Sequence, residues 1–216
     1  FDTALKGKKI LITSGRTKEN IDPVRYLSNN SSGKMGYSIA QAAADLGAEV
    51  TLISGPTDLK VPNGLRNFIS VESALEMHEK VDECFKNTDI FIACAAVADY
   101  RPKEYKKEKI KKSDSDFVIE LVRNPDILLE MSKKKEKQLL VGFAAETNNI
   151  KENALKKLKK KNLDIIVANN ASVMGSDENV IEIIRKDRTS MEISQKSKIE
   201  LAYDILSEVV CELEKR

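Results

Sequence analysis

Small and polar side chains crowd into the stretch YLSNNSSGKMG, residues 26–36, just before an alanine-rich segment with helical periodicity. Ser31 or Ser32 could cap that helix, while Gly33 and Gly36 would let an anion approach the backbone. Free N–H groups and the dipole at a helix N-terminus favour phosphate. The dinucleotide fingerprint G-x-G-x-x-G is absent, so the stretch indicates some other phosphate compound. A plain capped helix is the simpler interpretation of this stretch alone.

Strands and helices alternate around this stretch. We predict strands, from short apolar runs rich in β-branched residues, at residues 8–14, 48–54, 67–71, 88–96, 138–144 and 163–169. We predict helices between most of them, at residues 33–46, 72–86, 125–136 and 149–160. This alternation indicates an α/β fold, Rossmann-like and doubly wound around a mostly parallel sheet. Since ligands bind beyond the carboxyl ends of such strands, functional residues are expected just after Ser14, Ala96, Phe143 and Ala168.

Two regions interrupt the alternation. Residues 97–123 are charged, contain proline and include one further predicted strand at 117–122, so they form a β excursion. A connection of that length is usually functional or disordered. Residues 177–195 contain two alternating runs around the pair DR and predict a C-terminal β-hairpin, followed by a final helix from about residue 196. There is no repeat and no linker composition, so residues 1–216 are expected to form one domain.

The composition narrows the class of protein. Hydrophobic residues make up 41% and charged residues 32% of the 216 residues, and the net charge of +2 gives no support to a nucleic-acid partner. No apolar run is long enough to span a membrane, and no signal peptide is visible. Three scattered cysteines predict no disulfide framework and therefore a cytoplasmic location. Lysine clusters such as KEYKKEKIKK at residues 103–112 could still form a local anion site.

A set of longer motifs, taken in order, makes the interpretation specific. DPVRYLSNNSSGKMG, AAVADYRP, KIKK, NPDIL, GFAAETNN and KNLDIIVAN resemble phosphopantothenate–cysteine ligase, also called phosphopantothenoylcysteine synthetase. The resemblance runs from about Gly7 into the final helix and matches the bacterial, CTP-dependent type. That type is usually the C-terminal half of a fusion with a flavin-dependent decarboxylase, and a chain beginning at Phe1 rather than methionine fits removal of such a half. One departure is SGRT after the first strand, where Arg16 replaces the family's usual glycine.

The resemblance implies a ligation in two steps. The carboxylate of 4′-phosphopantothenate attacks the α-phosphorus of CTP, which releases pyrophosphate and leaves an acyl-cytidylate. The amine of L-cysteine then displaces CMP. Mg²⁺ is expected as the cofactor, held mainly by the nucleotide phosphates, because it prefers phosphate oxygens and water to an all-protein cage. A homodimer is also implied, with the excursion or the hairpin at its seam.

The resemblance also assigns roles to individual residues. Asn29 and Lys109 are the predicted catalytic residues: Asn29 would donate a hydrogen bond to the acyl intermediate, and Lys109 would neutralise charge at the α-phosphate. Arg25 is expected to reach the substrate phosphate from the neighbouring subunit. The predicted substrate-binding residues are Arg25, Asn29, Ala95, Ala96 and Asp99. The predicted nucleotide-binding residues are Gly15, Ser31, Gly33, Gly36, Ala93, Cys94, Ala95, Asp99, Lys109, Asn124, Pro125, Asp126, Ile127, Phe143, Lys157, Lys161 and Asn169.

Plainer interpretations and other functions stay open. Phe143 could belong to the core, NPD is a good helix-start turn, and Lys157 and Lys161 could form a solvated helix face. Tyr105-x-x-x-Lys109 mimics the Tyr/Lys pair of a short-chain-dehydrogenase-like NAD(P)-binding oxidoreductase, although it sits in a predicted loop. A non-catalytic nucleotide-binding module is the other alternative.

Overall fold

The apolar runs of the sequence lie side by side in one eight-stranded sheet. The computed structural model describes residues 3–146, 148–170 and 178–216. The strands are β1 (Lys9–Ser14), β2 (Glu19–Asn20), β3 (Tyr26–Leu27), β4 (Glu49–Ser54), β5 (Asn67–Ser70), β6 (Ile90–Ala93), β7 (Tyr100–Pro102), β8 (Leu121–Arg123), β9 (Leu139–Glu146), β10 (Ile165–Asn170), β11 (Glu178–Arg185) and β12 (Ser190–Ser197). The helices are α1 (Lys34–Asp45), α2 (Ala74–Phe85), α3 (Ile127–Lys133), α4 (Ile150–Lys160) and α5 (Lys198–Glu214).

The central sheet is parallel over six strands and antiparallel at one edge. Its order is β12-β11-β10-β9-β6-β1-β4-β5, and the strands from β10 to β5 in that order pair in parallel. β11 and β12 pair antiparallel beyond β10 and form the predicted C-terminal hairpin. β1 is buried at every residue except Lys9, as expected for a strand covered by helices on both faces. The predicted doubly wound α/β fold is therefore confirmed.

Two apolar clusters hold the helices against the sheet. Successive side chains of a strand point to opposite faces, so Ile10 and Ile12 of β1 join one cluster and Leu11 joins the other. The cluster of Ile10 and Ile12 includes residues of α1 and α5, and the cluster of Leu11 includes residues of α2, α3 and α4. Burying one such side chain fully contributes roughly 1.5–3 kcal/mol, so both faces stabilise the sheet.

Several element boundaries differ from the prediction because tertiary pairing decides where a strand ends. The strand predicted at residues 88–96 ends at Ala93, and the chain beyond it follows the end of β1, with the Ala96 N–H donating to the Gly15 carbonyl at 2.9 Å. The strand predicted at residues 138–144 continues to Glu146, so Phe143 lies inside β9 rather than at its end. The strand predicted at residues 117–122 is shorter and later, since β8 covers Leu121–Arg123, and it pairs with β7 in a separate two-stranded sheet.

Candidate functional site

Two adjoining cavities open at the carboxyl ends of the parallel strands. The helix cavity, of about 180 Å³, lies between the N-terminus of α1 and the ends of β6, β9 and β10. The loop cavity, of about 350 Å³, lies between the residues that follow β6 and the beginning of α3. Ala95, Ala96, Phe143 and Ala145 line both cavities, so together they form one cleft. The cleft lies at the edge of the sheet where the sequence predicted it.

Most of the predicted site residues line this cleft. Those in the helix cavity are Ser31, Gly33, Gly36, Cys94, Ala95, Ala96, Phe143 and Asn169. Those in the loop cavity are Ala93, Ala95, Ala96, Asp99, Asn124, Pro125, Asp126, Ile127, Phe143, Lys157 and Lys161. Gly15 and Asn29 contact residues of the cleft lining, whereas Arg25 and Lys109 line a third cavity, of about 770 Å³.

The first turn of α1 begins at a glycine. Gly33, at φ 78°, is the N-cap residue and has no side chain to cap the helix, so the prediction of Ser31 or Ser32 as the N-cap residue was wrong. The chain enters the helix in a left-handed conformation that glycine adopts without strain. The serines bond earlier in the turn: Ser31 Oγ accepts from the Gly33 N–H and Ser32 Oγ from the Lys34 N–H, both at 3.4 Å. Ser32 thus bonds the first amide of α1, and the first turn borders the helix cavity, where its other amides can face an anion.

The glycines of this region let α1 approach β1 closely. A Cβ at Gly36 would lie 2.5 Å from the Cβ of Ser14 and closer still to its Oγ. A Cβ at Gly33 would lie 3.1 Å from the Gly15 Cα, and the Ser14 hydroxyl donates to the Gly33 carbonyl at 3.0 Å. Gly36 is thus needed for the helix–strand contact as well as lining the cavity. Gly15 is left-handed at φ 77° and Arg16 is not, so the arginine that departs from the family pattern adopts its backbone without strain.

Asn29 is fixed beside the cleft by both ends of its side-chain amide. Its Nδ2 donates to the Ala96 carbonyl at 2.8 Å, and its Oδ1 accepts from the Ser31 N–H at 3.0 Å. These bonds join the loop before α1 to the residues that follow β6. Because Nδ2 carries two hydrogens, the bond to Ala96 leaves a second N–H with which the amide can contact a substrate.

Asn124 holds the two sides of the loop cavity together. Its Nδ2 donates to the Ala98 carbonyl at 2.8 Å, and its backbone N–H donates to the Asp99 carbonyl at 2.8 Å. Its Oδ1 accepts from Arg101 at 3.0 Å. The polar atoms of this side chain thus fix the chain before α3 against the residues that follow β6. The residue shapes the cavity whatever the ligand.

Lysines from the end of α4 reach the loop cavity. Lys157 and Lys161 both line it, so the two side chains share a face as their spacing predicted. Lys161 pairs with Asp126 at 2.9 Å, and Asp126 caps α3 by accepting from the Leu129 N–H at 3.0 Å. The NPD turn therefore has the helix-starting role expected of it, and it also holds a lysine at the cavity wall.

Sequence reasoning missed two lysines of the helix cavity. Lys34 and Lys198 line it beside the first turn of α1. Lys34 follows Gly33 directly, so its place in the first helical turn was a usable signal. Lys198 opens α5 behind the capping box of Ser197 and Glu200, and no local pattern connects that helix to α1. The two cations bring positive charge to a cavity already bordered by helix amides.

Cys94 and Phe143 belong partly to the core and partly to the cleft. Both pack against the cluster of α1 and α5 while lining the helix cavity. Burial raises the pKa of the Cys94 thiol to about 12, although the positive charge of Lys198 lowers that pKa in part. The thiol is therefore protonated at neutral pH, so it lines the wall of the cavity and does not act as a nucleophile. The ring of Phe143 offers a flat apolar surface where the two cavities meet.

Other parts of the described chain limit the alternatives. Tyr105 and Lys109 lie in a stretch without helix, so they do not have the helical spacing of a dehydrogenase pair. Within residues 3–146, 148–170 and 178–216, no three His, Cys, Asp or Glu side chains are grouped to hold a metal ion. None of the helices that the structure describes is both long and apolar enough to cross a membrane.

Comparisons with known proteins agree on one family. The model of the DNA/pantothenate metabolism flavoprotein C-terminal domain, DFP, matches residues 5–212. A protein of Bacillus subtilis strain 168, the coenzyme A biosynthesis bifunctional protein CoaBC, is 49% identical over 209 residues, which are 95% of this chain and 52% of that protein. CoaBC of Borreliella burgdorferi strain B31 is 46% identical over 205 residues, which are 94% of this chain and 52% of that protein. The chain thus spans about half the length of these curated relatives.

Solved structures match the fold over the whole chain. A crystal structure of the C-terminal domain of the coenzyme A biosynthesis bifunctional protein CoaBC has 47% sequence identity and a TM-score of 0.87, with 100% of both chains covered. The DNA/pantothenate metabolism flavoprotein from Streptococcus pneumoniae has 25% identity and a TM-score of 0.82, covering 94% of this chain and 98% of that one. The overall fold described above is therefore shared with both.

Proposed function

Because the chain belongs to the family of DNA/pantothenate metabolism flavoprotein C-terminal domains, we propose that it ligates 4′-phosphopantothenate to L-cysteine in coenzyme A biosynthesis. The relatives it matches at 46–49% identity are named as bifunctional proteins of that biosynthesis, and over its whole length the chain is similar to the solved C-terminal domain of a protein of the same name. One observation carries the proposal: a helix terminus that begins at a glycine and an aromatic ring line a single cleft, and a fixed asparagine lies beside it.

We propose CTP as the nucleotide that activates the acid. A triphosphate needs amide donors and counter-charge, which the first turn of α1, Lys34 and Lys198 supply in the helix cavity. Lys157 and Lys161 supply further positive charge in the loop cavity. Phe143, which lines both cavities, is the surface against which a base can lie.

The two proposed steps follow from the chemistry of the reacting groups and of the side chains near them. A carboxylate oxygen of phosphopantothenate forms a bond to the α-phosphorus of CTP while the bond to pyrophosphate breaks. Lys109 is proposed to neutralise the charge that develops there. The remaining N–H of the Asn29 amide is proposed to donate to the acyl carbonyl, so that the amine of cysteine attacks it, loses a proton and displaces CMP.

Mg²⁺ fits the donor set of the loop cavity. Among the described residues that line it, the carboxylates are Asp99 and Asp126, and so small a number suits an ion that takes most of its ligands from phosphates and water. Mg²⁺, when bound, would neutralise part of the charge of the triphosphate. Asp126 already pairs with Lys161, so it would bind the ion either beside that lysine or in place of it.

We further propose that the protein is a homodimer and lies in the cytoplasm. We also propose that the native protein carries a flavin-dependent decarboxylase half. Val24 and Phe117, which are 60% and 55% exposed, line the same cavity as Arg25. Exposed apolar side chains of this kind suit a protein interface, and this position favours the excursion over the hairpin as the seam. Arg25 would then act on the substrate phosphate of the neighbouring subunit, where its planar fork suits a phosphate.

Incubation of the chain with CTP, Mg²⁺, phosphopantothenate and cysteine tests the proposal. We expect pyrophosphate release that depends on phosphopantothenate, and ligated product only when cysteine is added. Replacing CTP by ATP tests the choice of nucleotide. Binding of CTP without turnover would favour the non-catalytic module, and binding of NAD(P)H without pyrophosphate release would favour a dehydrogenase-like protein.

A further inference from the structure

Asp22 is a buried carboxylate that lies outside the cleft. Neither step of the proposed reaction assigns a role to it. Its side chain is fully buried although it lies in a loop between β2 and β3. Its Oδ1 accepts from the backbone N–H groups of Val24 and Arg25, both at 2.8 Å. Its Oδ2 accepts from the Arg25 Nε at 3.0 Å and from the Ile110 N–H at 3.1 Å. Oδ1 thus accepts only from its own turn, whereas Oδ2 accepts from both the Arg25 side chain and the distant residue Ile110.

The distant segment carries Lys109. Arg25 closes the arrangement by donating from Nη2 to the Ile110 carbonyl at 2.6 Å, so both backbone groups of Ile110 are bonded to the Asp22 turn. Upstream, the Lys106 N–H donates to the Ile21 carbonyl at 2.9 Å. Lys109 therefore lies between two points at which its segment is attached to residues 21–25. Arg25 and Lys109 line the same cavity.

The carboxylate stays charged over the working pH range. Burial by itself raises the pKa of Asp22, but hydrogen bonds from the backbone of Ile110, Val24 and Arg25 and from the Arg25 side chain outweigh it and lower the pKa to about 2. Charge-assisted bonds of this kind are roughly twice as strong as neutral ones. The attachment of Ile110 is therefore made by the strongest acceptor that a side chain can offer.

We propose that Asp22 is a positioning residue that holds Arg25 and the Lys109 segment as one unit. This rests on the proposed function, in which Arg25 binds the substrate phosphate and Lys109 acts at the nucleotide. Because Arg25 and Lys109 share a cavity apart from their own cleft, the unit presents both to the same neighbouring cleft when the homodimer forms. Asp22 touches neither substrate, and its effect passes through the two cations.

The substitution Asp22→Asn tests the roles of the two carboxylate oxygens separately. The asparagine Oδ1 can still accept from the Val24 and Arg25 N–H groups, which preserves the turn. Its Nδ2 would face the Ile110 N–H and the Arg25 Nε, which are donors, so those bonds are lost. Glu104→Gln is the matched control: it removes a carboxylate of the same excursion, whose ion pair with Lys106 lies at the exposed surface.

Amide hydrogen exchange measures the attachment without any reaction. In Asp22→Asn we expect the Ile110 amide to exchange at least about tenfold faster, the effect of losing one hydrogen bond to a charged group. Glu104→Gln should leave that rate unchanged. Should Asp22→Asn fail to fold, Ile110→Pro removes the same bond from the other side, in a half-buried loop position. Because proline has no amide hydrogen to exchange, the readout for that variant is the rate of pyrophosphate release. Unchanged exchange in Asp22→Asn would overturn the attachment, even if the chain catalyses no reaction at all.

Kinetics then decide whether the attachment positions the cations. We expect Asp22→Asn to lower kcat for pyrophosphate release about tenfold and to raise KM for phosphopantothenate, in line with one lost charged hydrogen bond. In a Lys109→Gln background the same substitution should lower kcat no further, because it acts through Lys109. Normal kinetics despite fast exchange, or full additivity with Lys109→Gln, would overturn the positioning role. No pyrophosphate release from the unaltered chain would instead refute the proposed function.

Discussion

At the scale of single residues, Asn29 connects parts of the chain that are 67 residues apart, through its bond to the Ala96 carbonyl. An aspartate in its place would have the same shape but could donate nothing when ionised. It would also set a negative charge against the Ala96 carbonyl oxygen. The substitution therefore tests donation directly, provided that its local disturbance is controlled.

We expect Asn29→Asp to stall the reaction after activation. Pyrophosphate should still be released, while ligated product should fall by about 10²-fold or more, the usual effect of removing one donor from a developing oxyanion. The measurement is the ratio of product to pyrophosphate. Asn30→Asp adds the same charge at the adjacent exposed residue and should leave the ratio unchanged. Normal ligation by Asn29→Asp would refute the assigned role.

Lys109 is the second residue whose charge can be tested alone. We expect Lys109→Gln to slow pyrophosphate release by about 10²-fold, because the charge that develops at the α-phosphate would lose a preorganised cation. Single-turnover release is the measurement. Lys107→Gln, two residues earlier in the same exposed segment, is the control and should behave like the unaltered chain. Equal rates in both variants would show that Lys109 belongs only to a solvated run of charge.

At the scale of elements, the contact between α1 and β1 determines where the amides proposed to bind phosphate lie. A methyl group at Gly36 would overlap Ser14, whose position is set by β1 and by its bond to the Gly33 carbonyl. Neither the strand nor the helix can yield without moving the first turn of α1. Stability and the proposed phosphate binding therefore depend on the same packing contact.

We expect Gly36→Ala to cost about 1–3 kcal/mol, as overpacking usually does. For a chain of this size each kcal/mol lowers Tm by about 2–4 °C. Thermal unfolding and CTP binding are the measurements, and CTP affinity should fall because the helix terminus moves. Ser38→Ala adds no bulk on the same helix and should leave Tm nearly unchanged. A Gly36→Ala variant with full Tm and affinity would contradict the packing argument.

At the scale of the whole molecule, the proposed dimer explains why Arg25 and Lys109 lie apart from the cleft of their own chain. Phe117, 55% exposed, lines their cavity and would be buried at a seam formed by the excursion. Burying such a side chain contributes about 1.5–3 kcal/mol. Its loss should therefore weaken assembly without unfolding the subunit.

We expect Phe117→Ser to raise the dimer dissociation constant by about tenfold or more, the effect of losing one buried aromatic side chain. Sedimentation velocity over a concentration series measures it. Phe68→Ser on the edge strand β5, where the ring is 40% exposed, is the control. A seam elsewhere would be indicated if Phe68→Ser dissociated the dimer and Phe117→Ser did not.

The sequence by itself determined the layers of the fold and the edge of the sheet at which the candidate site lies. Continuous apolar runs such as β1 and amphipathic segments such as α4 are local patterns, so they predicted a parallel sheet covered by helices. The alternating runs predicted the hairpin of β11 and β12 in the same way. The family motifs then placed most of the named residues at one sheet edge. That residues 1–216 form one domain stays a prediction.

Only the tertiary structure decided which groups meet across the chain. The glycine start of α1, the reach of Lys198 into the helix cavity and the bond between Asp22 and Ile110 join residues from 19 to 165 positions apart. Periodicity reports which face of an element is apolar, but not which distant backbone atom lies opposite a given oxygen. Such contacts form only when the packed sheet brings loops together, so no local pattern encodes them.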